Sequence, residues 1–289
     1  MRRLLLAGFM LAAMLLPASS ASAALTGEFA RFSKCPLTNT ELELCLYSET
    51  TSGSITLGKK AVPVKNPVIL QGGIDAPEGF FGPFTLYPPT DGVTLSKTPQ
   101  PVPGGLLGVT APTWWPQILR DLFNETINNG FTGVTATMEL AGPASSVKLS
   151  TIATATGQGT ALAMPVKVKL SNPFLGSNCY IGSNSNPIKL ALTTGTTAPP
   201  PPNQPITGNP GEIVVVSEGA ILADKNARFV DNSFAAPGAN GCGGILFSWA
   251  VDPFVDSIVG TPSAAGTNTA ILEGSTYFGV RSKVVESQG

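Results

Sequence analysis

The segment ALAMPVKVKL, residues 161–170, sets Leu162, Met164, Val166, Val168 and Leu170 against Lys167 and Lys169 at alternate positions. This period of two constrains the fold more than any other feature of the chain. Only an extended strand places every second side chain on one face, so one face is buried and the other is wet. The same alternation runs through GVTATMEL (133–140), SVKLSTIA (146–153) and PIKLALTTG (187–195). SITL (54–57) and AVPVKNPVIL (61–70) read as a strand, a turn and a second strand. Further strands are expected in EIVVVSEGAIL, ARFV, GILFSWAV and TAILEGSTYFGVRSKVV, between residues 212 and 285. Alternation of this kind belongs to antiparallel sheets with one solvated face. The expected fold is therefore all-β, a mainly antiparallel sandwich or half-barrel. Composition agrees: 32 glycines and 26 prolines supply turns, and only 12% of residues are charged, about half the ~25% usual in soluble domains.

Two helices are expected beside the strands. Trp115, Ile118, Leu119, Leu122, Phe123 and Ile127 recur at helical spacing, with Arg120, Asp121, Asn124 and Glu125 opposite, which predicts an amphipathic helix near 115–129. Pro116 suits its first turn and Gly130 its end. The apolar stripe is expected to pack on a sheet rather than to serve as a ligand or membrane wedge. A short helix near 253–259 is expected after Asp252 as cap, with Pro253 in the first turn.

The first residues read as an export signal. Arg2 and Arg3 precede an apolar run from Leu4 to Leu16, and Ala21-Ser22-Ala23 is a small-x-small cleavage pattern. The run is short against the ~20 residues that span a bilayer. Residues 1–23 are thus expected to leave a chain starting at Ala24. Its expected place is secreted, extracellular or cell-envelope associated, with no transmembrane anchor. Residues 24–289 are expected to form a single β-rich domain. The prolines at 199–202 are the best linker candidate, which would give sub-units 24–198 and 206–289.

In an exported chain the four cysteines, Cys35, Cys45, Cys179 and Cys242, read as two disulfides. Three connectivities are open. The nearness of Cys35 and Cys45 favours joining them, which leaves Cys179 for Cys242. The Asn-rich segment around Cys179, residues 171–187, offers carbonyl oxygens but no carboxylate. It reads as a strand crossover stapled by a disulfide rather than a calcium loop. No metal site and no cofactor are expected.

Chemistry is excluded more firmly than it is indicated. The chain has no histidine, which removes Ser-His-Asp and Cys-His catalysis and the histidine ligands of zinc. The glycine-rich stretches lack the strand and helix context of a phosphate or dinucleotide loop. Carboxylate pairs remain: Asp75 with Glu78, Asp224 with Asp231, and Asp252 with Asp256. Turn and cap roles account for them without a further function, and glycan hydrolysis is the alternative. With 17 basic against 18 acidic residues, nothing attracts nucleic acid in bulk. Lys148, Lys167, Lys169 and Lys189 all fall at outward strand positions, where they could form a stripe that holds an anionic cell-wall polymer. Solubility and edge protection are the plainer account of the same positions.

Three phrases carry a resemblance: NCYIGSNSNPI (178–188), ARFVDNSFAAPGANGCGG (227–244) and GTPSAAGTNTAIL (260–272). They resemble a group of exported actinobacterial proteins without an assigned activity. The resemblance implies secretion from a Gram-positive cell and offers no catalytic or binding residues to carry over. The expectation is a non-enzymatic, exported β protein with a binding or structural role. A glycan-active enzyme using carboxylates is the alternative. An apolar-ligand or lipid carrier, with the Trp115 helix closing one end of a sheet, is the second alternative.

Overall fold

The computed structural model describes residues 24–107, 110–128 and 132–288. The expected signal segment, 1–23, and Gly130, the expected stop of the first helix, lie outside the described residues. In chain order the elements are β1 (Leu44–Leu57), β2 (Lys60–Pro63), β3 (Val68–Asp75), β4 (Thr85–Tyr87), β5 (Gln100–Pro101), α1 (Gln117–Asn128) and β6 (Thr135–Leu140). Then come β7 (Lys148–Leu149), α2 (Thr151–Thr156), β8 (Leu162–Ser171), β9 (Tyr180–Ile181), β10 (Ile188–Leu192), β11 (Glu212–Val216) and β12 (Ile221–Asp231). The chain continues through β13 (Ala239–Asn240), α3 (Gly244–Val259), β14 (Thr269–Val280) and α4 (Arg281–Glu286).

The strands form two antiparallel sheets that face each other. Sheet A runs β11-β12-β14-β1-β3-β4, with β2 on β1; sheet B runs β13-β9-β8-β6-β5, with β7 and β10 on β8. β8 shows how the period of two is used: Leu162, Met164, Val166, Val168 and Leu170 are buried and the residues between them are half-buried. Each such side chain contributes about 1.5–3 kcal/mol when buried, and a one-residue slip would carry Lys167 and Lys169 into the core. Along one side the sheets are joined by main chain. Thr193 and Val230 exchange N–H···O bonds of 2.9 and 2.8 Å, and the Asp231 carboxylate accepts from the Ala191 N–H at 2.7 Å.

Several expected strands take another form. STIA is α2, because the Ser150 hydroxyl accepts from the Ala153 N–H and caps a short helix that Gly157 closes. RSKVV is α4, with Val284 fully buried against the outer face of sheet A. GILFSWAV is the first half of α3, so the helix expected near 253–259 begins at Gly244 and carries Pro253 inside it. The Asn-rich segment is not a crossover. β9 and β10 run antiparallel along β8, and residues 182–187 bulge between Ile181, opposite Val168, and Ile188, opposite Val166.

The proline run is packed against the rest of the chain. Asn203 donates through its backbone to Gly266 O at 3.0 Å and through Nδ2 to the carbonyls of Asn232 and Asn268. Asn268, itself fully buried, accepts from the Gly58 N–H and the Ser263 hydroxyl and donates to Phe234 O and Ala264 O. These bonds satisfy every polar atom of a buried amide, which makes the junction costly to open. Strands from both sides of the run share sheet A, where β1 pairs with β14. Disulfides join Cys35 to Cys45 and Cys179 to Cys242.

Candidate functional site

The space between the sheets is filled unevenly. At the end where β1 begins, Phe80 packs edge to face with Phe84 and Phe278, which are tilted to each other, with ring centroids 5.2 to 6.4 Å apart. At the end where β1 finishes, the inward positions hold aliphatic side chains and no ring: Val62, Val64, Val68, Val134, Ala136 and Val168, beside Ile55, Leu57 and Leu272. Opposed valines and alanines do not reach across the gap, and a cavity of about 110 Å³ remains. It is of the order of the ~150 Å³ apolar cavity that elsewhere stays dry and admits benzene.

Three pieces border this cavity beyond the strands. Val255, Ile258 and Val259 of α3 close one side, Gly105 and Leu106 another, and Leu175 at the β8–β9 turn a third. Lys60 is the one ionisable residue among the described residues that line it. Burial pulls its ammonium below the ordinary lysine range, because desolvation disfavours the charge. The Gln100 amide, also in the wall, is spent on the backbone: it accepts from Lys65 and Asn66 N–H and donates to Asn66 O.

α3 is fixed in place from both ends. Its first residue, Gly244, lies two positions after Cys242, which is bonded to Cys179 in sheet B's hairpin, and Gly260 ends it at φ 81° with a 2.7 Å bond to Asp256 O. Asp252 accepts from the Gly241 and Cys242 N–H groups, and Asp256 from the Ala239 N–H and the Thr261 hydroxyl. The two carboxylates lie one turn apart and serve as anchors for the preceding and following loops. They are the only charged residues of the helix, so its outward surface is left to Ile245 (99% exposed), Leu246, Phe247 and Trp249 (79% exposed).

α1 departs from expectation in the same way. Its stripe does not pack on a sheet: Ile118 is 81% exposed, Trp114 80%, and Leu119 and Leu122 are exposed too. Among the described elements its main neighbour is the turn at 105–107. Trp115 stacks edge-on with Trp114 and Phe123, and Asn124 accepts from the Ala111 N–H at 2.9 Å, so the helix folds on its own flank. That flank includes Leu106, which puts the helix beside the cavity without making it the roof.

The other residues singled out from the sequence are accounted for individually. None of Asp75, Glu78, Asp224, Asp231, Asp252 and Asp256 lines the cavity between the sheets or the cleft beside Glu139. Asp224 is 3% exposed and accepts no hydrogen bond from the described residues; burial pushes its carboxyl up to about 7. Asp231 is raised by burial too, with N–H bonds from Ala191 and Ser233 pulling the other way. The four lysines do share the outer face of sheet B, since Lys148 lies opposite Ala163 and Lys189 opposite Pro165 on β8. Lys167 is engaged there by Glu139 at 3.9 Å and by the Tyr180 ring at 4.5 Å. Sequence reasoning missed the valine-lined wall and the outward surface of α3. The available signal was the contrast between Phe80/Phe84/Phe278 and the valines, and an apolar run with charges only at 252 and 256.

No described helix is long and apolar enough to cross a membrane. Comparison with protein-family models, with curated proteins and with solved structures found no match.

Proposed function

We propose that the protein is an exported, non-catalytic binding protein whose ligand is apolar and sits between the two sheets. The observation that carries this reading is the valine-lined cavity, walled by both sheets and closed by α3. Concave, mostly apolar sites with few polar groups are the usual form of a small-molecule site. Lys60, the ionisable residue of the wall, favours a ligand whose end beside it is anionic. A medium-chain fatty acid has both properties. The two disulfides fit an oxidising compartment, as the resemblance to exported actinobacterial proteins implies.

Titration with octanoate and with octanol, followed by calorimetry in lipid-free buffer, tests the reading. Saturable binding of one octanoate per chain is expected, about tenfold tighter than octanol, or ~1.4 kcal/mol. Ala136→Leu should abolish binding by filling the cavity, and Lys60→Met should remove the preference for the acid. Absence of saturable binding for both compounds would rule the cavity out as a ligand site.

The lysine face of sheet B favours a second reading, retention on an anionic cell-wall polymer. Lys167→Gln with Lys169→Gln should then weaken retention on purified walls at low salt, because exposed charges act through screened contacts. Unchanged retention would leave these lysines as solubilising residues.

A further inference from the structure

We propose that the outward face of α3, together with Trp114, Ile118 and Phe174, docks on the hydrocarbon layer of a lipid surface. A helix that is apolar all round is ordinarily buried on all sides. α3 buries Val255 and turns Ile258 and Val259 to the cavity, yet presents Ile245, Leu246, Phe247 and Trp249 to solvent. Its two carboxylates face the flanking loops through four hydrogen bonds, so the outward face carries no charge. The same chain buries Phe32 and Ile221 elsewhere, so exposure here is a local feature and not a general failure of packing.

The other exposed groups belong to the same end of the molecule. The Leu106 N–H, next to α1's flank, bonds Thr132 O; Asn172 Nδ2 bonds Gly133 O; and the Gly243 N–H bonds Leu175 O. This chain of contacts runs from α1 through the β8–β9 turn, where Phe174 is exposed, to the start of α3.

Shape and charge select lipid over a protein partner. Ile245 is almost wholly free of its own protein, and Trp114 and Ile118 stand out nearly as far. Such convex projections need matching pockets in a rigid partner but none in fluid hydrocarbon. Trp249 donates its indole N–H to Leu246 O at 3.2 Å, so it enters an apolar phase without an unpaired donor. With 16 residues α3 is too short to span, which suits a helix lying in the interface plane. With no charge on the face, docking should depend on apolar burial and be indifferent to salt.

The inference stands apart from the cavity reading and is tested apart from it. The chain has three tryptophans, and all of them, Trp114, Trp115 and Trp249, lie in this region, so intrinsic fluorescence reports on it alone. With phosphatidylcholine vesicles, co-sedimentation should persist at 1 M salt, and brominated phosphatidylcholine should quench the fluorescence. Leu246→Ser with Phe247→Ser should lower partitioning at least tenfold while leaving octanoate binding intact. Val215→Ser, on the exposed edge strand β11, should change neither. Lack of partitioning, equal partitioning of the double variant, or a concentration-dependent dimer that the double variant loses without any vesicle binding would each overturn the proposal.

Discussion

Both ends of the molecule use a disulfide to hold a segment against the sheets, with opposite results. At one end Cys35–Cys45 ties the segment around Phe32 to sheet A, and Phe32, Cys45, Ile221 and Val284 form a second, fully buried cluster. Phe32, 1% exposed, lies where a Cβ on Gly279 would stand, so the ring fills space that only glycine leaves. At the other end Cys179–Cys242 fixes the start of α3, whose outward face is left bare over a partly empty core. The first bond completes a core; the second presents a surface. A disulfide alone therefore says where a segment is held, and the side chains decide whether it is held to be covered.

The sharpest way to break this comparison is to truncate one large apolar residue at each end. Phe32→Ala should cost about 3–5 kcal/mol, because it empties a site that its neighbours cannot refill. Ile245→Ala should stay within about 0.5 kcal/mol, since almost nothing is in contact with that side chain. Urea unfolding of the two variants decides it, and equal losses would mean that α3's outer face is packed in solution.

Removing the disulfides should give the next largest effect. In the chain-entropy model the bond spanning 63 residues is worth ~4 kcal/mol and the one spanning 10 residues ~3 kcal/mol. Replacing Cys179 and Cys242 by alanine should lower vesicle partitioning as well as stability. Replacing Cys35 and Cys45 should lower stability only.

A third effect is set by pH and lies in neither end. Asp224, on β12 opposite Thr276, has a folded-state pKa of about 7 against an ordinary value of 3.8. The folded chain thus holds this proton more tightly than the unfolded chain. The resulting destabilisation is absent below pH 3.8, grows as pH rises between 3.8 and about 7, and is complete above that. It amounts to at most ~4 kcal/mol. Asp231, also raised, adds in the same direction. Asp224→Asn should flatten the fall in stability between pH 4 and 7, whatever its absolute effect. An unchanged slope by denaturant titration would place the loss elsewhere.

The strands were legible where one face alone is buried. β8 and β10 alternate without a break, because each has one core side and one outer side. β1 was visible only in its last four residues, as its Ser- and Thr-rich middle is held by neighbours on both edges rather than by its own pattern. α3 was read as a strand because GILFSWAV has no period at all, and a short apolar run fits either form. What makes it a helix is tertiary: Asp252 and Asp256, one turn apart, collect the N–H groups of the loop before it. The exposure of α1 was illegible for a related reason. Spacing shows that a stripe exists, but not whether anything stands opposite it. The cavity needed the sheets to be assembled, since inward valines leave a void only when they face other small side chains.

The pairing of β1 with β14 sets an order of events for the chain. Leu44 lies opposite Val280, and β1 is an interior strand of sheet A, with β3 on its other edge. A strand met early in synthesis therefore waits for almost the entire chain before its second neighbour exists. Contacts so distant in sequence make folding slow and leave strand edges open meanwhile. Until Val280 arrives, β1 and β12 each present an unpaired edge in the growing chain. A chain that stopped short of β14 would leave both edges open at once, in what is the middle of the finished sheet.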